Sequence, residues 1–136
     1  MTPDALMRKI AKAFEQGELQ PLFDAIDDNT VWRSGSQLEG LFRFGGEYRK
    51  YAGVKELISR IASAYTFRRF EPKETVAGGD VVWGWFDIET EYRPTRKIAT
   101  FEIVIRWQVR NGKILDHRAF LDTTYLLHQQ GELPKP

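Results

Sequence analysis

Between Lys97 and Leu127 the chain reads KIATFEIVIRWQVRNGKILDHRAFLDTTYLL, two alternating stretches folded about Asn111-Gly112. Phe101, Ile103, Ile105, Trp107 and Val109 alternate with Glu102, Val104, Arg106, Gln108 and Arg110, the period-2 pattern of a strand with one buried face. Two turns compete at the tip. A two-residue Asn-Gly loop pairs Arg110 with Lys113 and brings Trp107 beside Asp116 and Phe101 beside Asp122. A three-residue loop, with Gly112 as the left-handed bulge residue, pairs Val109 with Lys113. It sets Trp107 beside Leu115, Ile105 beside His117, Ile103 beside Ala119 and Phe101 beside Leu121. This second register keeps apolar with apolar and places Arg106 against Asp116 on the other face, so it is the one expected.

In that register His117 is the one polar side chain on an apolar face. Such an imidazole is either a core histidine satisfied by a carbonyl or a water, or an acid/base at the wall of a cavity.

Upstream, Thr2 can cap a helix that begins at Pro3, with Leu6, Ile10 and Ala13-Phe14 at helical spacing and Gly17 closing it. Leu19, Leu22, Phe23 and Ile26 mark a second, short helix, and Thr30 to Arg33 a short strand. Residues 34–52 read as one long irregular stretch, either a lid over a pocket or an ordinary surface loop or dimer contact. Gly53 then opens a helix to residue 66 with Val54, Leu57, Ile58, Ile61, Ala62 and Tyr65 on its apolar stripe. Everything after Phe67 reads as β: a strand around 68–76 whose Pro72 suits an edge or a bulge, a strand 81–92, and the hairpin. The order α-α-β-α-β-β-β-β predicts an α+β fold, a cone-shaped, curved antiparallel sheet wrapped around three N-terminal helices. One domain over residues 1–130 and a frayed tail over 131–136 are expected.

At 136 residues the chain holds one ordinary core, and 20 Lys+Arg against 19 Asp+Glu leave no field favouring nucleic acid or a membrane surface. With no cysteine and two histidines, disulfides, thiolate chemistry and a His-rich metal site are not expected, nor is a cofactor. No apolar run reaches membrane-spanning length and no leader-like segment opens the chain, so a cytoplasmic location is expected. Phe67-Arg68-Arg69-Phe70 and Phe42-Arg43-Phe44 have the aromatic-basic look of nucleic-acid patches, but without net charge they read as solvated arginines near a sheet edge.

Asp28 to Arg33 at the first strand, Val109 to Ile114 at the hairpin, Phe120-Leu121-Asp122 near the end and Gly53 at the third helix carry a resemblance. Together with the element order they resemble the nuclear transport factor 2-like superfamily, in its SnoaL-like and ketosteroid isomerase-like branch, over residues 3–130. The resemblance implies a cone-shaped fold with a pocket between sheet and helices, and a homodimer through the outer sheet face. It also implies one of several functions: isomerase, cyclase, dehydratase, epoxide hydrolase, or a non-catalytic binding or scaffold domain. By similarity the isomerase base falls at Arg33, its helix tyrosine at Ile10, and its protonated aspartate at Ile105 or Val104, so that route is not expected. The epoxide-hydrolase positions fall at Trp85, Asp87 and Ala119, of which only Asp87 keeps its chemistry. Asp122 is expected on the outer face in a structural role.

The sharpest candidate is His117 with Asp87: a carboxylate on one ring nitrogen would leave the other to move a substrate proton, an arrangement similar to that of the superfamily's dehydratases. Everything turns on the loop at 93–96. If it has four residues, Val82, Phe86 and Ile88 face inward and Asp87 outward; another length turns Trp83, Trp85 and Asp87 inward. Arg33, near the mouth by the alignment, could anchor a ligand carboxylate or enolate, or sit in an ordinary surface salt bridge. Trp32, Tyr51, Tyr65, Trp85, Phe101, Ile105, Trp107 and Ala119 are the candidate pocket wall for a small apolar or cyclic molecule, and each is otherwise a core residue. Three function classes remain open: a cofactor-independent lyase, isomerase or cyclase using His117; a ligand-binding domain without turnover; or a dimeric interaction domain with its cone packed shut.

Overall fold

The computed structural model describes residues 1–35 and 42–133. A six-stranded curved sheet carries the chain in the order β2-β1-β6-β5-β4-β3. These strands are β1 (Val31–Ser34), β2 (Gly46–Arg49), β3 (Tyr65–Gly78), β4 (Val81–Tyr92), β5 (Lys97–Arg110) and β6 (Lys113–Leu121). Helices α1 (Pro3–Glu15), α2 (Gln20–Asp24) and α3 (Lys50–Ala64) precede the long strands, and α4 (Thr123–Gln129) follows them. The α+β architecture expected from the sequence is the one observed. The sheet is not wholly antiparallel as expected: β1 pairs with β6 in parallel, whereas the other neighbours are antiparallel.

The helices form where their local signals lie. Thr2 Oγ1 accepts from Ala5 N at 3.1 Å, Pro3 fills the first turn, and Met7, Ile10 and Ala11 are buried on the sheet side of α1. Gly17, at φ 77°, supplies the left-handed residue that ends it. The described residues of the stretch 34–52 hold more regular structure than its composition suggests. It contains β2 and the first turn of α3, which starts at Lys50 rather than Gly53 and whose Tyr51 N donates to Asp28 Oδ1 at 3.1 Å. The part of the expected lid at 36–41 lies outside the described residues.

The hairpin turn is the two-residue Asn111-Gly112, with φ of 52° and 73°, and it pairs Arg110 with Lys113. Both central residues left-handed is the turn whose twist matches its strands. The expected bulge exists, but at Leu115: Val109 pairs with Ile114 and Gln108 with Asp116. Hence His117 lies opposite Trp107, not Ile105, and Ala119 opposite Ile105. Ile114 is fully buried while Leu115, expected inward, is half-exposed at the bulge. The remaining faces are as expected, because the register differs from the expected one by two residues, and a slip of two preserves side-chain parity.

The second strand of the hairpin stops at Leu121. Asp122 Oδ1 accepts from Tyr125 N at 2.9 Å and caps α4, so the expectation of uninterrupted β structure after Phe67 is corrected there. Pro72 sits on an edge strand and beside a register shift, so both of its tolerated settings apply. Residues 131–133, read as frayed tail, are held to the body: Glu132 N donates to Leu127 O at 2.8 Å and its carboxylate pairs with Arg43.

Candidate functional site

Helices α1 and α3 lie over the inner face of the sheet and leave a cavity of about 140 Å³ between them and strands β4–β6. An apolar cavity of about 150 Å³ is enough to take up benzene. Its wall is aromatic and aliphatic. The polar side chains on it are Ser34, Tyr65, Thr90 and His117, and no Asp, Glu, Lys or Arg among the described residues lines it. Of the sequence-predicted wall, the structure places Trp32, Tyr65, Phe101, Ile105, Trp107 and Ala119 on the same cavity as His117.

His117 is held by its two neighbouring strands. Trp32 is its parallel partner on β1 and Trp107 its antiparallel partner on β5, all three facing inward. The imidazole stacks on Trp32 with centroids 3.5 Å apart and planes 4° from parallel. Trp107 Nε1 donates to its Nδ1 at 2.7 Å. The side chain is 4% exposed, and burial lowers its pKa to about 3, so the ring is neutral at physiological pH. Among the described residues Nε2 has no hydrogen-bond partner.

Asp87 is not part of this site. Tyr92 pairs with Lys97, which makes 93–96 a four-residue loop and turns Val82, Phe86, Ile88 and Thr90 inward. Asp87 therefore lies on the outer face, where Arg69 Nε donates to it at 3.0 Å, and the expected His117–Asp87 pair is not formed. The same parity puts Trp85 outside, 39% exposed, with Lys73 Nζ 4.9 Å from its ring centroid. Arg33 follows Trp32 and so points outward as well. It pairs with Glu47 at 2.6 Å and Asp116 at 3.2 Å rather than standing at the mouth. Tyr51, in the first turn of α3, lies off the cavity wall with Lys55 Nζ 5.6 Å from its ring centroid.

Two features of the wall were missed by sequence reasoning. Thr90 is 1% exposed and its Oγ1 has no hydrogen-bond partner among the described residues. Its signal was the inward parity it shares with Phe86 and Ile88. Phe42 and Phe44, buried against Gly35 and Tyr65, close another side, and nothing local in an irregular stretch marks them as core. Behind them Tyr65 donates to Gln130 Oε1 at 2.9 Å, and burial raises the Tyr65 pKa. Burial, then the nearby Glu132, pushes the Tyr92 hydroxyl up to about 12. Both phenols are thus held protonated. Among the described residues no group of three His, Cys, Asp or Glu side chains is placed to hold a metal ion, and no helix is long and apolar enough to cross a membrane.

A curved sheet closed by helices over an apolar cavity defines the nuclear transport factor 2-like, cystatin-like class of fold. Within it the chain belongs to the SnoaL-like domain family, whose sequence profile matches residues 7–117. Among solved structures it is similar to an NTF2-like protein of unknown function from Burkholderia pseudomallei, with TM-score 0.82, 17% identity, and 95% and 97% of the two chains covered. TerC, co-crystallised with polyporic acid, superposes with TM-score 0.79 at 20% identity over 95% of this chain and 98% of its own. IdmH from Streptomyces antibioticus, a candidate polyketide cyclase, gives 0.77 at 18% over 96% and 99%. At these identities the likeness establishes the fold. No curated protein matches the sequence.

Proposed function

We propose that this SnoaL-like protein binds a compact, flat, mainly apolar molecule in its cone, with His117 as the principal polar contact. The observation that carries this is the aromatic-walled cavity of about 140 Å³ with a neutral, 4% exposed imidazole on its wall. Co-crystallisation of TerC with a small organic molecule is consistent with such a use of the fold. With Asp87 on the other face, nothing supports the His/Asp proton shuttle. Any turnover in this cavity would run through His117 without a carboxylate partner.

Toluene tests the pocket. It should raise the melting temperature and shift the indole N–H signals of Trp32 and Trp107, leaving those of the outward Trp83 and Trp85 in place. Ala119→Leu, which fills the cavity, should remove both effects. No stabilisation by toluene, or shifts confined to Trp83 and Trp85, would refute the reading.

A second reading concerns partners. On the outer face Trp83 is 43% exposed and Phe120 54%, and the two rings stack with centroids 6.5 Å apart. Exposed aromatics of this kind favour a face covered by a second copy of the chain. Sedimentation should find a dimer, and Trp83→Lys with Phe120→Glu should yield a folded monomer. A monomeric wild type would end this reading and leave the pocket untouched.

A further inference from the structure

The cavity's histidine has only one ring nitrogen left for a ligand, and its protonation is decided by a neighbour. An indole N–H can donate but never accept. Trp107 Nε1 stands 2.7 Å from His117 Nδ1, so Nδ1 is the bare nitrogen of the neutral ring and the proton sits on Nε2. The stack on Trp32, 4° from parallel, fixes the plane of the ring, so the Nε2–H direction is fixed with it. Among the described residues the hydrogen bond to the ring is the one at Nδ1, and the residue lines the cavity. A donor that faces an apolar cavity gains most from a ligand that brings its own acceptor. The rest of the wall offers little to satisfy it, being almost wholly hydrocarbon.

We infer that Trp107 fixes His117 as a hydrogen-bond donor rather than a base, and that the cone selects compact cyclic or aromatic compounds carrying a carbonyl-type oxygen for His117 Nε2–H. Trp107 is a positioning residue in this arrangement, since its indole acts on the ligand through the imidazole. The ligand's apolar body meets Phe86, Phe101, Ile105 and Ala119, and its one oxygen accepts from Nε2. The chemistry available to such a pair is polarisation of a carbonyl. Abstraction of a proton by His117 is not, because Nε2 already carries one and Nδ1 is engaged. The inference rests on the pocket reading above.

Acetophenone and α-methylstyrene test it, since they share a shape and differ in C=O against C=CH2. In the wild type, acetophenone should bind about fivefold more tightly, the worth of one net hydrogen bond, and both should shift the Trp32 and Trp107 indole signals. Histidine 15N spectra of the free protein, with His128 assigned through His128→Gln, should show protonated Nε2 and bare Nδ1 at His117. His117→Phe should bring the two affinities within about twofold, and Trp107→Phe should leave His117 a mixture of tautomers with a reduced preference. Equal affinities in the wild type, or a proton on Nδ1, would overturn the inference while leaving the pocket standing. Failure of both probes to bind would overturn the pocket reading and the inference together. The wild-type measurements decide these outcomes even if a variant does not fold.

Discussion

Asp116 and His117 are adjacent on β6 and live in different solvents. Asp116 points outward into a network of charge, with Arg33 at 3.2 Å, Arg106 at 3.1 Å and Arg118 at 3.6 Å, and Glu47 reached through Arg33. There the hydrogen bond from Arg49, followed by the charge of Arg33, keeps the Glu47 carboxyl below its usual range. His117 points inward between two indoles, with no charged side chain on its cavity wall among the described residues. The alternation of one strand separates a face where charge is cheap from one where a single neutral ring is the main polar feature. The proposed selectivity for a small molecule rests on the second face, where a hydrogen bond competes with hydrocarbon rather than with water.

The largest test of that contrast is at the neighbouring pair Trp32 and Arg33. Trp32→Ala removes the stack on His117 and opens the core, and should cost about 3–5 kcal/mol in chemical denaturation. Arg33→Ala, one residue on but facing out, should cost about 1 kcal/mol or less. Similar losses at both positions would break the comparison.

Acidity gives the next effect. The folded pKa of His117 is lowered to about 3 from an ordinary 6.5 by burial. Between those values the unfolded chain binds a proton that the folded chain refuses. This contribution is therefore complete above about pH 6.5 and declines as the pH falls towards 3. From pH 7 to 5 the wild type should lose roughly 1–2 kcal/mol more than His117→Phe, measured by urea titration at each pH. Parallel pH profiles would mean that His117 titrates normally.

Smaller effects sharpen the picture. Asp116→Asn should cost about 1 kcal/mol, less at high salt, because its arginines remain partly solvated. Thr90→Val replaces an unpartnered inward hydroxyl by a methyl of similar shape, and should stabilise the ligand-free protein by about 1 kcal/mol. A loss of stability there would mean that the hydroxyl has a partner.

The strand pattern of 97–121 made the inner face legible, and parity survived even though the bulge lies at Leu115 rather than Gly112. Asp87 was legible only as an alternative, because the length of the 93–96 loop decides it and loop length is not written in the alternation. The missed α4 shows a local ambiguity: Asp122 is a good cap, but Thr123 and Thr124 are β-branched and continue an alternating run. Least legible was the Trp32–His117 stack. It depends on a parallel pairing between β1 and β6, 85 residues apart at these two positions, which no local period reports. Arg33 was misplaced as a pocket residue for the related reason that an alignment gives a position and not a facing.

The most direct test of the pocket is a crystal structure of the protein grown with acetophenone. The ring should lie in the cone against Phe101 and Ile105, with its oxygen within hydrogen-bond distance of His117 Nε2 and the Trp107 Nε1 to His117 Nδ1 bond intact. A cone closed by its own side chains, with acetophenone absent or bound only on the outer face, would contradict the account.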